Sequence, residues 1–283
     1  MKAIDRVRVS VDSNNDTVPA VITRSAQAAE QHTVPHYAVI ATGWCGGNGT
    51  TRGLATGMVR AAVRSGRHDF AVVTYDDPVV GSSAYGQSYK SERFAALAER
   101  FAGARPVTAI GHSRGWLSVA ETGKRLVSDE AIDAAIGLTP IGLQSSRTRK
   151  QTVRALGYEL AMGTPSMRRL QGIRALGCLA RAATPHMVTR PKAAFREIVD
   201  MLEADVTEQT IALSSLTPTS LIRSTDDRLA SGYTDPEALC EAGYRGTFAE
   251  IGGTHFGVVA DPHRAAAIYR NVIETEFLAH AER

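Results

Sequence analysis

The sequence predicts an α/β protein with a mostly parallel central sheet. From residue 37 onwards, short runs of β-forming apolar residues alternate with longer segments whose apolar residues recur at helical spacing. Such strand–helix–strand units join parallel neighbours by right-handed crossovers, so helices cover both faces of the sheet. With 283 residues, 43% of them hydrophobic, the chain is long enough to bury the core of one large domain of this class.

The first residues predict a β-hairpin ahead of this alternation. Residues 7–11 and 18–23 are rich in valine and other β-forming residues, and residues 12–16 between them include two asparagines and two aspartates. These side chains favour turns because they hydrogen-bond to the nearby backbone.

The remaining elements follow in a regular order that is interrupted once. Strands are predicted at 37–42, 70–75, 106–110 and 132–138, with helices at 51–64, 90–101 and 114–128. Sheet-forming runs return at 219–223 and 247–251, with helices near 236–242 and from about 262 to 281. Because the periodicity between them is helical throughout, we divide the chain into an α/β core, residues 1–140 and 214–283, and a helical cap inserted after the sixth strand, residues 141–213.

Composition excludes several classes of protein. The 32 basic and 29 acidic residues leave a net charge of +3, which is too small to predict nucleic-acid binding. No run approaches the roughly 18 apolar residues of a membrane span, and residues 1–10 lack the apolar core of a signal peptide. We therefore expect a cytoplasmic protein without a transmembrane segment. The three cysteines lack CxxC spacing and predict neither a disulfide framework nor a metal site.

The strongest chemical signal is the segment Gly-His-Ser-Arg-Gly at residues 111–115. It follows a predicted strand and precedes a predicted helix, which is the setting that a G-x-S-x-G nucleophile turn requires. Glycines two residues to either side of Ser113 are expected because a Cβ atom there would collide with the neighbouring elements. The alternative is a chance match in which Ser113 only caps a helix.

On this motif and its context the sequence resembles the α/β-hydrolase fold family, over nearly the whole chain from residue 37 to residue 282. The resemblance implies a triad in the order Ser, Asp, His, with the acid after a late strand and the histidine after the last one. Ser113 is then the nucleophile, Asp227 the acid and His255, in the segment Gly-Gly-Thr-His-Phe-Gly, the base. Asp226 competes with Asp227, since a shift of one residue would exchange their places.

The family resemblance also implies an oxyanion hole made of two backbone N–H groups. One belongs to Arg114, which follows the nucleophile, and the other to Trp44 in the loop after the 37–42 strand. The segment Thr42-Gly43-Trp44 is similar to the His-Gly-aromatic segment of the family but has threonine in place of histidine.

Methionines concentrate in the predicted cap. Met162, Met167 and Met187 are candidates to line the substrate pocket, because flexible, polarizable side chains accommodate varied apolar groups. The same residues would also serve as the core of a helical subdomain. Residues 141–200 carry eleven basic and three acidic side chains, a pattern typical of a solvated helix face and also of one that meets an anionic substrate or a membrane surface.

These features predict a serine hydrolase that cleaves a carboxylic ester or thioester through an acyl-enzyme intermediate, without cofactor or metal. Its expected partner is a small-molecule ester with an apolar acyl or alcohol part. Two alternatives remain: the same triad used for C–C hydrolysis, lyase or perhydrolase chemistry, or a non-catalytic ligand-binding protein of this fold.

Overall fold

Eight strands form one mixed sheet in the computed structural model, which describes residues 4–13, 16–31, 36–43, 48–76, 86–103, 105, 107–143, 154, 188, 191–192, 203–229 and 235–278. The strands are β1 Ile4–Ser13, β2 Asp16–Ser25, β3 His36–Ala41, β4 Phe70–Tyr75, β5 Val107–His112, β6 Ile132–Leu138, β7 Thr219–Ser224 and β8 Thr247–Ile251. Their order across the sheet is β1-β2-β4-β3-β5-β6-β7-β8.

Strand direction divides this sheet into a hairpin and a parallel part. β1 pairs antiparallel with β2, and β2 pairs antiparallel with β4, whereas all pairs from β4 to β8 are parallel. β1 alternates polar exposed residues with valines that face inwards, as a strand with one solvated face should. β4 and β5 are buried along their whole length because helices cover both faces. The predicted hairpin and mostly parallel sheet are confirmed.

Helices connect the parallel strands. They are α1 Ala26–Gln31, α2 Asn48–Arg64, α3 Gln87–Ala102, α4 Gly115–Ser128, α5 Thr207–Leu216, α6 Pro236–Glu241, α7 Gly257–Ala260 and α8 Pro262–Ile268. A π-helical segment, Tyr269–Leu278, continues α8. Both α6 and α8 begin with an Asp-Pro pair, in which the aspartate side chain accepts hydrogen bonds from first-turn N–H groups and the proline supplies a helical φ angle. Among the helices described, none is long and apolar enough to cross a membrane.

Two apolar cores lie on opposite faces of the sheet. One contains Phe94 of α3, Trp116 of α4 and Leu213 of α5. The other contains Met58 of α2 and Tyr269 of the π-helical segment, together with the strand residues whose side chains lie on that same face. The carboxyl ends of β3 and β5 to β8 therefore stand on a scaffold that is packed from both sides.

The structure departs from the sequence prediction in its shortest and last helices. α1 and α7 were not predicted, and the helix predicted from about 262 to 281 changes to π-helical geometry at Tyr269. The predicted boundary at residue 213/214 falls inside α5, whose Leu213 belongs to the core. Most of residues 141–213 lie outside the described part of the chain, so the division into core and cap stays a prediction.

Candidate active site

Ser113 lies on a sharp turn between β5 and α4. Its φ angle is 54°, in the left-handed region that residues other than glycine rarely adopt. A Cβ atom on Gly111 would lie 2.5 Å from Cα of Trp116, and one on Gly115 would lie 2.1 Å from the carbonyl oxygen of Ala41. The two glycines are thus required because backbone passes where their side chains would stand, which is the reason predicted from the motif.

Hydrogen bonds on both sides hold this turn in place. The Ser113 N–H donates to the carbonyl of Leu138 at the end of β6 (2.9 Å), and its own carbonyl accepts from Trp116 N–H (3.1 Å). The Trp116 indole N–H in turn donates to the hydroxyl of Thr210 in α5 (3.0 Å). Such contacts compensate for the cost of a strained residue, about 1–3 kcal/mol.

The side chains of Ser113, His255 and Asp227 form one hydrogen-bonded row. Ser113 Oγ lies 2.8 Å from His255 Nε2, and His255 Nδ1 lies 2.8 Å from Asp227 Oδ2. All three are buried, with His255 0% and Asp227 1% exposed. They come from turns after β5, β8 and β7, whose carboxyl ends lie at the same edge of the sheet. An imidazole between a hydroxyl and a carboxylate can accept the hydroxyl proton while the carboxylate fixes its tautomer and stabilises its charged form.

Neighbouring aspartates in the turn after β7 have different environments. Asp227 is buried, and its second oxygen, Oδ1, accepts a hydrogen bond from Leu229 N–H (2.8 Å). Asp226 is exposed, and its N–H donates to the carbonyl of Gly253 in the histidine loop (2.9 Å). The structure therefore places Asp227, and not Asp226, beside His255.

His112 is part of the site although the sequence did not single it out. It is 4% exposed, its ring centroid is 5.4 Å from that of His255, and its Nε2 lies 3.5 Å from the His255 carbonyl oxygen. The pKa of His112 is lowered to about 3, mainly by burial and to a smaller extent by the nearby His255. A neutral imidazole thus packs against the candidate base, where a second imidazolium would oppose the charging of His255.

The loop after β3 passes directly beside the nucleophile. A Cβ atom on Gly43 would lie 3.2 Å from both Ser113 Cβ and His112 Nδ1. Thr42, which stands where the resembled family has histidine, is buried, and its hydroxyl has no hydrogen-bond partner among the described residues. Arg114 is buried at the start of α4.

Four of the predicted site residues lie outside the described residues: Trp44, Met162, Met167 and Met187. Their assigned roles stay predictions. In the part of the chain that the structure describes, no group of three histidine, cysteine, aspartate or glutamate side chains is arranged to hold a metal ion.

The sequence itself matches no protein-family model. A search of the curated proteins likewise finds no match.

Solved structures, by contrast, are similar to this chain in fold. It is similar to a serine hydrolase involved in carbazole degradation, at 13% identity and a TM-score of 0.64 over 95% of this chain and 99% of that one. It is also similar to a bromoperoxidase from Bacillus anthracis, at 16% identity and a TM-score of 0.62, with 95% and 99% of the chains covered. A third similar structure is the thioesterase domain from the curacin biosynthetic pathway, at 14% identity and a TM-score of 0.59, with 95% and 99% covered. The strand order, the turn at Ser113 and these likenesses together show that this chain has the α/β-hydrolase fold.

Proposed function

We propose that this protein is a serine hydrolase that cleaves a carboxylic ester or thioester. The observation that carries the proposal is the buried row Ser113–His255–Asp227, with 2.8 Å at each of its two hydrogen bonds. A serine, a base within hydrogen-bonding reach and a carboxylate that orients the base are the parts that acyl transfer to a hydroxyl requires.

The reaction has two acyl-transfer steps. Ser113 Oγ attacks the carbonyl carbon of the substrate while His255 Nε2 takes the hydroxyl proton, and a tetrahedral intermediate forms. When that intermediate collapses, His255 gives the proton to the departing alcohol or thiol, which leaves an acyl-enzyme on Ser113. Water, deprotonated by His255, then attacks the acyl group; the acid is released and Ser113 regains its proton. Asp227 keeps the Nδ1 proton in place and stabilises the imidazolium in both steps.

Backbone donors are proposed to stabilise the oxyanion. Arg114 N–H follows the nucleophile directly, at the start of α4, where the helix dipole also favours negative charge. Trp44 N–H is the proposed second donor, and the closeness of Gly43 to Ser113 supports it because residue 44 follows immediately. Each such donor contributes about 3–4 kcal/mol to transition-state stabilisation in enzymes of known mechanism.

Similar structures favour an ester-like small molecule as the substrate. They include a thioesterase domain, a carboxyl esterase from Tuber melanosporum and a membrane phospholipase A. All of these names describe cleavage of an ester or thioester. We expect an apolar acyl or alcohol part, bound between the sheet edge and the predicted cap.

The proposal is tested with a fluorophosphonate probe, which reacts with an activated serine. We expect one adduct per chain, located at Ser113 by mass spectrometry, and hydrolysis of short or medium p-nitrophenyl esters. Ser113→Ala should abolish both, whereas Ser128→Ala, a change of the same size at an exposed position in α4, should preserve both. A folded wild-type protein that takes up no probe would favour the non-catalytic alternative. Labelling at Ser113 without turnover of any ester or thioester would favour C–C hydrolysis, lyase or perhydrolase chemistry instead.

A further inference from the structure

The guanidinium group of Arg264 fills the space beside two glycines of the histidine loop. A Cβ atom on Gly253 would lie 1.8 Å from Nη1 of Arg264, and one on Gly257 would lie 2.3 Å from the same atom. These glycines stand two residues before and two residues after His255. Absence of a side chain at both positions therefore lets one cationic group pack against the backbone on both sides of the candidate base.

A second support holds the same loop through the acid turn. The Gly253 carbonyl accepts from Asp226 N–H (2.9 Å), and the Gly253 N–H donates to the hydroxyl of Thr225 (3.3 Å). Gly253 has a φ angle of +118°, a conformation that a residue with a side chain rarely adopts. The loop is thus tied at Gly253 to the turn that carries Asp227 and also packs against Arg264.

Arg264 itself is fixed from α8 rather than by a strong ion pair. The backbone N–H of Arg264 donates to the Asp261 carbonyl (3.1 Å). The side-chain Nε lies 3.9 Å from Asp261 Oδ2, at the outer limit for an ion pair. The side chain is 22% exposed, and its buried Nη1 has no hydrogen-bond partner among the described residues. Packing against the loop is therefore the principal contact that the structure gives this group.

We propose that Arg264 is a positioning residue that sets the place of the His255 ring relative to Ser113 and Asp227. The inference rests on the proposed function, because it assigns Arg264 a part in the same site. Without the guanidinium, the loop between residues 253 and 257 can relax into the vacated space, and the His255 ring moves away from the two 2.8 Å contacts. A shift of about 1 Å in a reacting group lowers catalytic rates on the order of 10²-fold.

Gly257→Ala gives a test that leaves Arg264 in the sequence. The new methyl group would lie 2.3 Å from Nη1 and displace this atom, which can give way because it ends a flexible side chain. We expect Gly257→Ala and Arg264→Ala each to lower kcat for ester hydrolysis, and the rate of fluorophosphonate labelling, on the order of 10²-fold with little change in KM. In the Arg264→Ala background, Gly257→Ala should have little further effect, because the nearest side-chain atom to the methyl group is then Thr254 Oγ1 at 3.1 Å, a contact that a shift of a few tenths of an ångström relieves.

Arg60→Met, which removes an exposed arginine from α2, is the control and should keep the wild-type rates. A readout independent of turnover is the strongly deshielded NMR resonance of the His255 Nδ1 proton shared with Asp227. We expect this resonance to shift or broaden in Gly257→Ala and in Arg264→Ala, and to stay unchanged in Arg60→Met. If Arg264→Ala fails to fold, Gly257→Ala alone supplies both readouts.

Wild-type rates and an unchanged proton resonance in Gly257→Ala and Arg264→Ala would overturn the assignment. Fully additive losses in the double variant would also overturn it, since Gly257→Ala and Arg264→Ala are expected to act through the same guanidinium group. A wild-type protein that shows the resonance and loses it on Arg264→Ala, yet neither hydrolyses esters nor reacts with the probe, would overturn the proposed function and leave the positioning role intact.

Discussion

His255 Nδ1 lies 2.8 Å from Asp227 Oδ2, and neither side chain is exposed to solvent. The other oxygen of the Asp227 carboxylate accepts a hydrogen bond from the Leu229 N–H. The contact thus links the candidate base to the turn that follows β7. Because both side chains are buried, this carboxylate fixes which ring nitrogen of His255 carries the proton.

The first prediction compares Asp227→Asn with Asp226→Asn. Asparagine at 227 keeps an oxygen for Leu229 N–H but can present an NH₂ group to His255, which favours the wrong tautomer. We expect kcat to fall on the order of 10⁴-fold with folding preserved. Asp226→Asn should keep a near-normal kcat, since that side chain is exposed. Steady-state kinetics with thermal unfolding of both variants make the comparison; a collapsed kcat in Asp226→Asn alone would contradict the geometry.

The sequence predicted most of the sheet because buried parallel strands are short continuous apolar runs. The predicted ranges 70–75 and 132–138 coincide with β4 and β6. The range 247–251 coincides with β8, a partly exposed edge strand that was identified from its β-forming residues. Ser113, Asp227 and His255 could be named because each lies within four residues of the end of a strand, in the chain order of the resembled family. The link from Ser113 to His255 nevertheless spans 142 positions, and only the folded structure shows their contact.

Other features depend on packing that no local pattern records. α1 has six residues, too few for helical periodicity to be recognised. α5 was assigned in part to the cap because nothing near Leu213 indicates that its side chain packs beside Gly123 of α4. Arg264 lies in an ordinary helical segment, and only the folded structure shows that its guanidinium packs beside Gly253 and Gly257 of the histidine loop.

A second prediction concerns Gly115, two residues after the nucleophile. In Gly115→Ala the new methyl group would lie 2.1 Å from the Ala41 carbonyl oxygen, and neither backbone segment can move without disturbing the sheet. We expect the free energy of unfolding to fall by about 3 kcal/mol or more, and fluorophosphonate labelling to be lost. Denaturant unfolding measures the first and mass spectrometry the second.

Gly252→Ala is the matched control, because no atom lies within 4 Å of its Cβ position. Its stability should stay within about 0.5 kcal/mol of wild type. Equal stabilities for the two variants would contradict the close approach of α4 to β3.

A third prediction tests the attachment of α5 to the core. Thr210→Val keeps the shape of the side chain but leaves the buried Trp116 indole N–H without its acceptor. We expect a loss of about 1–3 kcal/mol in the free energy of unfolding. Thr122→Val is the comparison: its hydroxyl donates to a carbonyl of its own helix, so less than about 1 kcal/mol should be lost. Wild-type stability in Thr210→Val would show that α5 does not depend on this bond.

The last prediction is a pH dependence of stability that originates at His112. Burial lowers the pKa of His112 from 6.5 to about 3 in the folded protein. Between these values the unfolded chain binds a proton that the folded chain does not, so stability increases with pH across this window. The contribution is fully present above pH 6.5 and is lost progressively as the pH falls towards 3. His36, whose pKa burial also lowers, acts in the same direction.

His112→Gln removes the titrating group while retaining a polar side chain at that position. The variant can be less stable than wild type at pH 7, but its free energy of unfolding should fall less steeply between pH 6.5 and pH 4. The difference between the two curves isolates His112, because His36 and the carboxylates titrate in both proteins. Urea unfolding at half-unit pH intervals gives both curves. Parallel curves would mean that His112 takes up its proton in the folded state as readily as in the unfolded one, contrary to its burial against His255.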